Sequence, residues 1–184
     1  IKCQNFIFKY WAKIIQYLTE ARSSQIKPAI GSSNSGGVSP PTPPTAIEYD
    51  EDGIPKDFWQ KLEKIYKGHR DGEKNWKNEV GALHEIIKSI ANNIKPKYTI
   101  YSPIQHGGVS VVIKVHNNEL NVTRALKFPR PITERQDLFI DIVKSEIAHL
   151  MEVTHQNIIE IYDQGKITYN GKEHPYYIMK YIDG

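Results

Sequence analysis

One cysteine, Cys3, occurs in 184 residues, which excludes an internal disulfide framework and a cysteine-rich metal site. Charge of one sign does not accumulate either. The 24 basic and 21 acidic residues are interspersed and leave a net charge of +3, so no concentrated basic footprint points to nucleic acid. Long hydrophobic runs are missing. The most apolar early stretch, Phe6 to Ile15, is short and carries Lys9 and Lys13, which fits neither a membrane-spanning helix nor a signal peptide. A cytoplasmic location follows by default. No Gly-x-Ser-x-Gly elbow occurs, and His106, His116 and His149 are scattered without cysteines or carboxylates at ligand spacing, so no metal ligand is assigned. The chain begins at Ile1 rather than Met and is expected to be a piece of a longer polypeptide.

Four regions follow from composition and periodicity. Over residues 1–22, Phe6, Tyr10, Trp11, Ile14, Ile15 and Leu18 recur at three- and four-residue intervals, the spacing of one helical face. Its polar side is not strongly basic, which favours a packing helix over a membrane-surface one. Residues 23–50 turn to Ser, Gly and Pro and end in an acidic run; such a segment cannot bury a core and reads as a disordered linker. Over 51–97 two amphipathic helices are expected, one through Phe58, Leu62, Ile65 and Tyr66 as far as Gly68, the next from about Asn75 through Trp76, Val80, Leu83, Ile86, Ile87 and Ile90. Their stripes pack either on the following domain or on a partner docking through residues 51–94.

After Pro96 the pattern becomes β. Tyr98 to Gln105, Ser110 to His116 and Val122 to Phe128 are rich in Val, Ile, Thr and Tyr, with a turn expected at Asn117-Asn118. A helix is expected over Asp137 to Val153, then strands at Ile158 to Tyr162 and Tyr176 to Ile182 with Asn170-Gly171 between them. The expected order is β-β-β-α-β-β, an α+β arrangement preceded by a helical, partly disordered extension.

Two features carry chemistry. Gly107 and Gly108 fall between the first two strands, where the lack of Cβ lets a backbone approach a phosphate chain and offer its amides; a tight hairpin turn uses the same residues. Lys127 lies inside a strand among Ala125, Leu126 and Phe128, so its ammonium needs a compensating charge. Glu146, 19 residues on in the expected helix, is the candidate partner.

With these residues in view, positions 98–184, 87 of the 184, resemble the N-terminal, ATP-binding lobe of the eukaryotic-type serine/threonine protein kinases, which implies a five-stranded antiparallel sheet plus helix C. Ile104 to Val115 resembles the glycine-rich loop and its second strand, and Ala125-Leu126-Lys127 the third-strand lysine motif. Glu146 matches the helix C glutamate, His155-Gln156-Asn157 the loop after that helix, and Tyr177 to Gly184 the fifth strand and hinge. The resemblance implies Lys127 and Glu146 as catalytic residues and a nucleotide slot formed by Ile104, Gln105, Gly107, Gly108, Ser110, Val112, Ala125, Met179 and the main chain of Lys180 and Ile182. Leu150 and Ile161 would link the helix to Met179. It implies ATP and Mg2+ as cofactors, a protein Ser/Thr acceptor, and a catalytic base and metal ligands downstream, so that the fragment alone is expected to be inactive. Gln105 and Ser110 replace two of the family's loop glycines, Val109 its aromatic tip and Lys180 a common acidic residue; the loop changes lower the nucleotide affinity to be expected. The same features leave open a pseudokinase or kinase-like interaction module, and a small-molecule phosphotransferase.

Overall fold

The computed structural model describes residues 47–183 apart from Thr154 and Gln156. The helix expected over 1–22 and nearly all of the 23–50 linker lie outside the described residues. Two helices come first, α1 (Phe58–Lys67) and α2 (Gly72–Ile94). The corner between them is tight: a Cβ on Gly72 would sit 1.9 Å from the Tyr66 carbonyl oxygen, and Asp71 takes φ 58°. This lets α2 start at Gly72, three residues before the expected Asn75.

The remaining elements are β1 (Tyr98–His106), β2 (Ser110–Asn117), β3 (Val122–Pro129), a 3-10 turn over Thr133–Arg135, α3 (Gln136–Glu152), β4 (Ile161–Tyr169) and β5 (Lys172–Lys180). The strands form one sheet of order β1-β2-β3-β5-β4 in which every neighbouring pair is antiparallel. The β2–β3 turn is held by Asn117, whose Oδ1 accepts from the amides of Glu119 (3.0 Å) and Leu120 (2.8 Å), the side-chain closure for which Asn suits turns.

The last two strands differ from expectation. They occupy Ile161–Tyr169 and Lys172–Lys180 as a hairpin closed by Asn170 (φ 49°) and Gly171 (φ 71°), not Ile158–Tyr162 and Tyr176–Ile182. β4 is an edge strand in which exposed residues alternate with half-buried ones and the buried Ile167, and Asp163, Gln164, Lys166 and Thr168 interrupt its apolar signal. Edge strands tolerate such residues and use them against mispairing.

Both faces of the sheet are covered. On one, Val111, Ile113, Leu126, Phe128 and Ile178 form a continuous core with Phe58, Leu62 and Tyr66 of α1 and Leu83, Ile86 and Ile90 of α2, each 1% or less exposed. The apolar stripes that suggested a docking surface are therefore turned onto the chain's own sheet. The other face is covered by α3, which lies on β3 and β5 and buries Phe139, Val143 and Ile147. Among the described residues no helix is long and apolar enough to cross a membrane.

Candidate functional site

Antiparallel register decides which side chains share a face, because directly opposed residues point the same way. Gln105 faces Val112, Val112 faces Lys127, and Lys127 faces Tyr177, making one row across four strands. The next row runs Lys114, Ala125, Met179, Ile161. Gln105, Val112, Ala125 and Met179, four of the residues expected from sequence to line the slot, thus fall with Lys127 and Ile161 in two adjacent rows on the face that carries α3.

Lys127 leaves this face toward the helix. Its Nζ donates to both carboxylate oxygens of Glu146, at 2.8 and 2.9 Å, and each side chain retains 18% exposure. An ammonium has three protons, so two bonds to Glu146 leave one for another acceptor on the open side. Beneath the pair, Nζ stands 5.8 Å from the ring centre of Tyr177, within reach of a cation–π attraction. Burial, and then the charge of Glu146, push the Tyr177 hydroxyl well above its ordinary range. It stays a neutral donor at all working pH.

The other expected positions are more dispersed. Ala125 is buried, Val112 and Met179 are half-buried, and Ile104, Gln105, Lys180 and Ile182 are exposed. Ile104 stands unpaired at an irregularity in β1, between Pro103 and Gln105. Lys180 gives its N–H to the Glu160 carbonyl at 3.0 Å, and Ile182 lies beyond β5. Leu150, one turn after Glu146, is buried on α3.

The glycine turn is held from behind. Gly107 donates its N–H to the Ser110 carbonyl at 2.9 Å, and a Cβ at 107 would press on that oxygen at 3.3 Å. Arg130, just after β3, reaches the turn with side chain and backbone together. Nη1 donates to the carbonyls of Gly107 (3.3 Å) and Gly108 (3.2 Å), and the Arg130 N–H to that of Val109 (2.8 Å). Nε donates to Glu79 of α2 at 3.1 Å while Nη2 bonds the second carboxylate oxygen. This pair is buried, 6% and 5% exposed, and the Tyr66 hydroxyl adds a 3.1 Å bond to Glu79. The ring of His106 packs 3.8 Å from Tyr66, and neither nitrogen has a hydrogen-bond partner among the described residues. Burial first, then the neighbouring Arg130 and His69, push His106 down to about 4.

Sequence reasoning missed Arg130, Glu79 and Tyr66. Glu79 and Arg130 are 51 residues apart, and each has an ordinary local reading, a charge on an amphipathic helix and an arginine between Pro129 and Pro131. The faint signal was Glu79 itself, next to Val80 on the helix flank that turns inward.

No protein-family profile matches the chain. Among characterised proteins, a stretch of 88 residues, 48% of this chain, is 25% identical to the serine/threonine-protein kinase PksC of Streptomyces coelicolor. About half of the chain is thus similar in sequence to a protein kinase. The matched stretch spans 16% of that kinase's length. A solved structure, the apo form of PpkA-294, overlaps 48% of this chain and 36% of its own, at 16% identity and a TM-score of 0.39. The kinase likeness in sequence thus accompanies a sheet in which the strand lysine and helix glutamate are bonded.

Proposed function

We propose that this chain supplies the ATP-binding half of a protein kinase whose full-length protein transfers the γ-phosphoryl group of ATP to Ser or Thr of a protein. One observation carries the reading: Lys127 on β3 is bonded by both oxygens of Glu146 on α3, on the same face as the Val112, Ala125 and Met179 side chains. A lysine fixed in this way by a carboxylate keeps a directed N–H for a phosphate oxygen. In a partly desolvated site that bond is charge-assisted and stronger than a neutral one.

The donor set suits ATP. Val112, Ala125 and Met179 give an apolar floor for a flat base, the mixture usual in small-molecule sites, and the main chain of Lys180 and Ile182 offers its edge. Gly107, Gly108 and Ser110 cover the phosphates, with Ile104 and Gln105 at the rim. Mg2+ would neutralise the phosphate oxygens, through ligands we do not assign to this chain. Catalysis of this kind is mostly positioning and electrostatics, so the part played here is to bind and orient the triphosphate.

The test is calorimetric titration of the full-length protein with ATP, unaltered and as Lys127→Ala. Binding by the first, lost in a folded second, supports the reading. Equal ATP binding by both removes Lys127 from the site. No ATP binding by either, with a protein partner still captured, turns the fold into an interaction module.

A further inference from the structure

The helical hairpin α1–α2 does more than cover the sheet, since one of its carboxylates reaches the glycine turn through a single arginine. We propose that Glu79 and Arg130 are positioning residues for nucleotide phosphates, a step that rests on the ATP-binding reading of the same site. Three consecutive carbonyls, of Gly107, Gly108 and Val109, accept hydrogen bonds from one residue, Arg130.

The direction of those bonds matters. In a trans peptide the N–H lies opposite the C=O. The amides of Gly108 and Val109 share peptide units with the Gly107 and Gly108 carbonyls, so they face away from Arg130. Arg130 stands on the hairpin side, bonded to α2; Lys127 leaves β3 on the other side, bonded to α3. Both amides therefore face the Lys127 side as donors for an anion.

Glycine peptides flip at little steric cost, and a flipped unit would point a carbonyl oxygen at phosphate. Arg130 opposes the flip by holding both oxygens. Its planar fork does this while Nε and Nη2 engage Glu79, a division of labour beyond one ammonium. Tyr66 and Glu79 fix the fork, and the imidazole of His106 lies beside it without adding a charge. Gln105 and Ser110, which stand at two positions where further glycines would loosen the turn, are compatible with a turn fixed in this way rather than a freely moving one.

The test compares ATP with adenosine, which shares the base and ribose but has no phosphate, by titration of the full-length protein. Arg130→Lys keeps a cation for Glu79 and loses the fork; the expected result is about tenfold weaker ATP binding with adenosine binding unchanged. Glu79→Gln, a milder change, should shift ATP binding in the same direction by less. Leu62→Val, in the same hairpin but remote from the turn, controls for stability and should lower the melting temperature while leaving the ATP-to-adenosine ratio alone. An unaltered ratio in folded Arg130→Lys, or an equal change in Leu62→Val, overturns the proposal. An unaltered protein that binds neither ligand overturns the nucleotide reading itself, a separate and recognisable result.

Discussion

Lys127 and Glu146 meet across the seam between β3 and α3, the lysine giving two protons to one carboxylate at 2.8 and 2.9 Å. Neither residue belongs to the buried apolar core. Val143, Ile147 and Phe139 anchor α3 by packing, so the pair can be altered without removing the helix's apolar contacts.

Glu146→Gln separates a binding role of the pair from a structural one. The amide retains one acceptor for Lys127 and loses the charge that orients it. Stability should fall by about 1 kcal/mol, the worth of one hydrogen bond, whereas ATP affinity in the full-length protein should fall at least about tenfold, or roughly 1.4 kcal/mol. Thermal melting and titration of the same sample read the two quantities. A large loss of stability with unchanged ATP binding would make the pair a structural tie.

Acid should weaken the fold through His106. Its folded value of about 4 lies below the ordinary 6.5, so between these values the unfolded chain binds the extra proton. Stability is fully present above about pH 6.5 and is lost as pH falls toward 4, by at most about 3 kcal/mol. His84 and His174 are also lowered, chiefly by burial, and add slope of the same sign. His106→Phe keeps a ring against Tyr66 and removes this titration. Urea midpoints at pH 7.5 and 5.0 should lie closer together in that variant than in the unaltered chain; identical separations would remove His106 from the account.

The order of strands and the position of α3 were legible because Val, Ile, Thr and Tyr cluster in β1 to β3, and because Phe139, Val143, Ile147 and Leu150 keep helical spacing. Lys127 and Glu146 were legible because a lysine among apolar strand residues demands a counter-charge. The hairpin β4–β5 was read too short: Asp163, Gln164, Lys166 and Thr168 break up the apolar signal of the edge strand, and Pro175 with Lys172 and Glu173 reads as loop. Arg130 and Glu79 were hidden for another reason. A buried ion pair is made by the tertiary fold, and neither sequence neighbourhood records that the other exists.

Gly165 offers a test of that edge. It faces Tyr176 in register, and a Cβ there would fall 2.3 Å from the tyrosine oxygen and 2.4 Å from its ring carbon. The ring lies over the glycine, a known way of protecting an edge glycine, and its hydroxyl accepts a 2.8 Å bond from Asn93 of α2. Gly165→Ala should cost about 1–3 kcal/mol by overpacking. An unchanged urea midpoint would mean that the ring does not occupy this position.

Deletions in the hairpin core decide whether α1 and α2 belong to the same cooperative unit as the sheet. Leu62 on α1 and Ile86 on α2 are fully buried in the core that also holds Val111, Ile113 and Phe128. Leu62→Ala and Ile86→Ala remove side-chain atoms from that shared core, at about 2–5 kcal/mol each. If hairpin and sheet unfold together, helix signal by circular dichroism and a sheet probe such as amide exchange at Leu126 should shift by the same amount in each variant. Leu126 protection that stayed at the unaltered level while the helix signal melted earlier would make the hairpin a separate, detachable layer. The Glu79–Arg130 link would then hold the glycine turn only while that layer is docked.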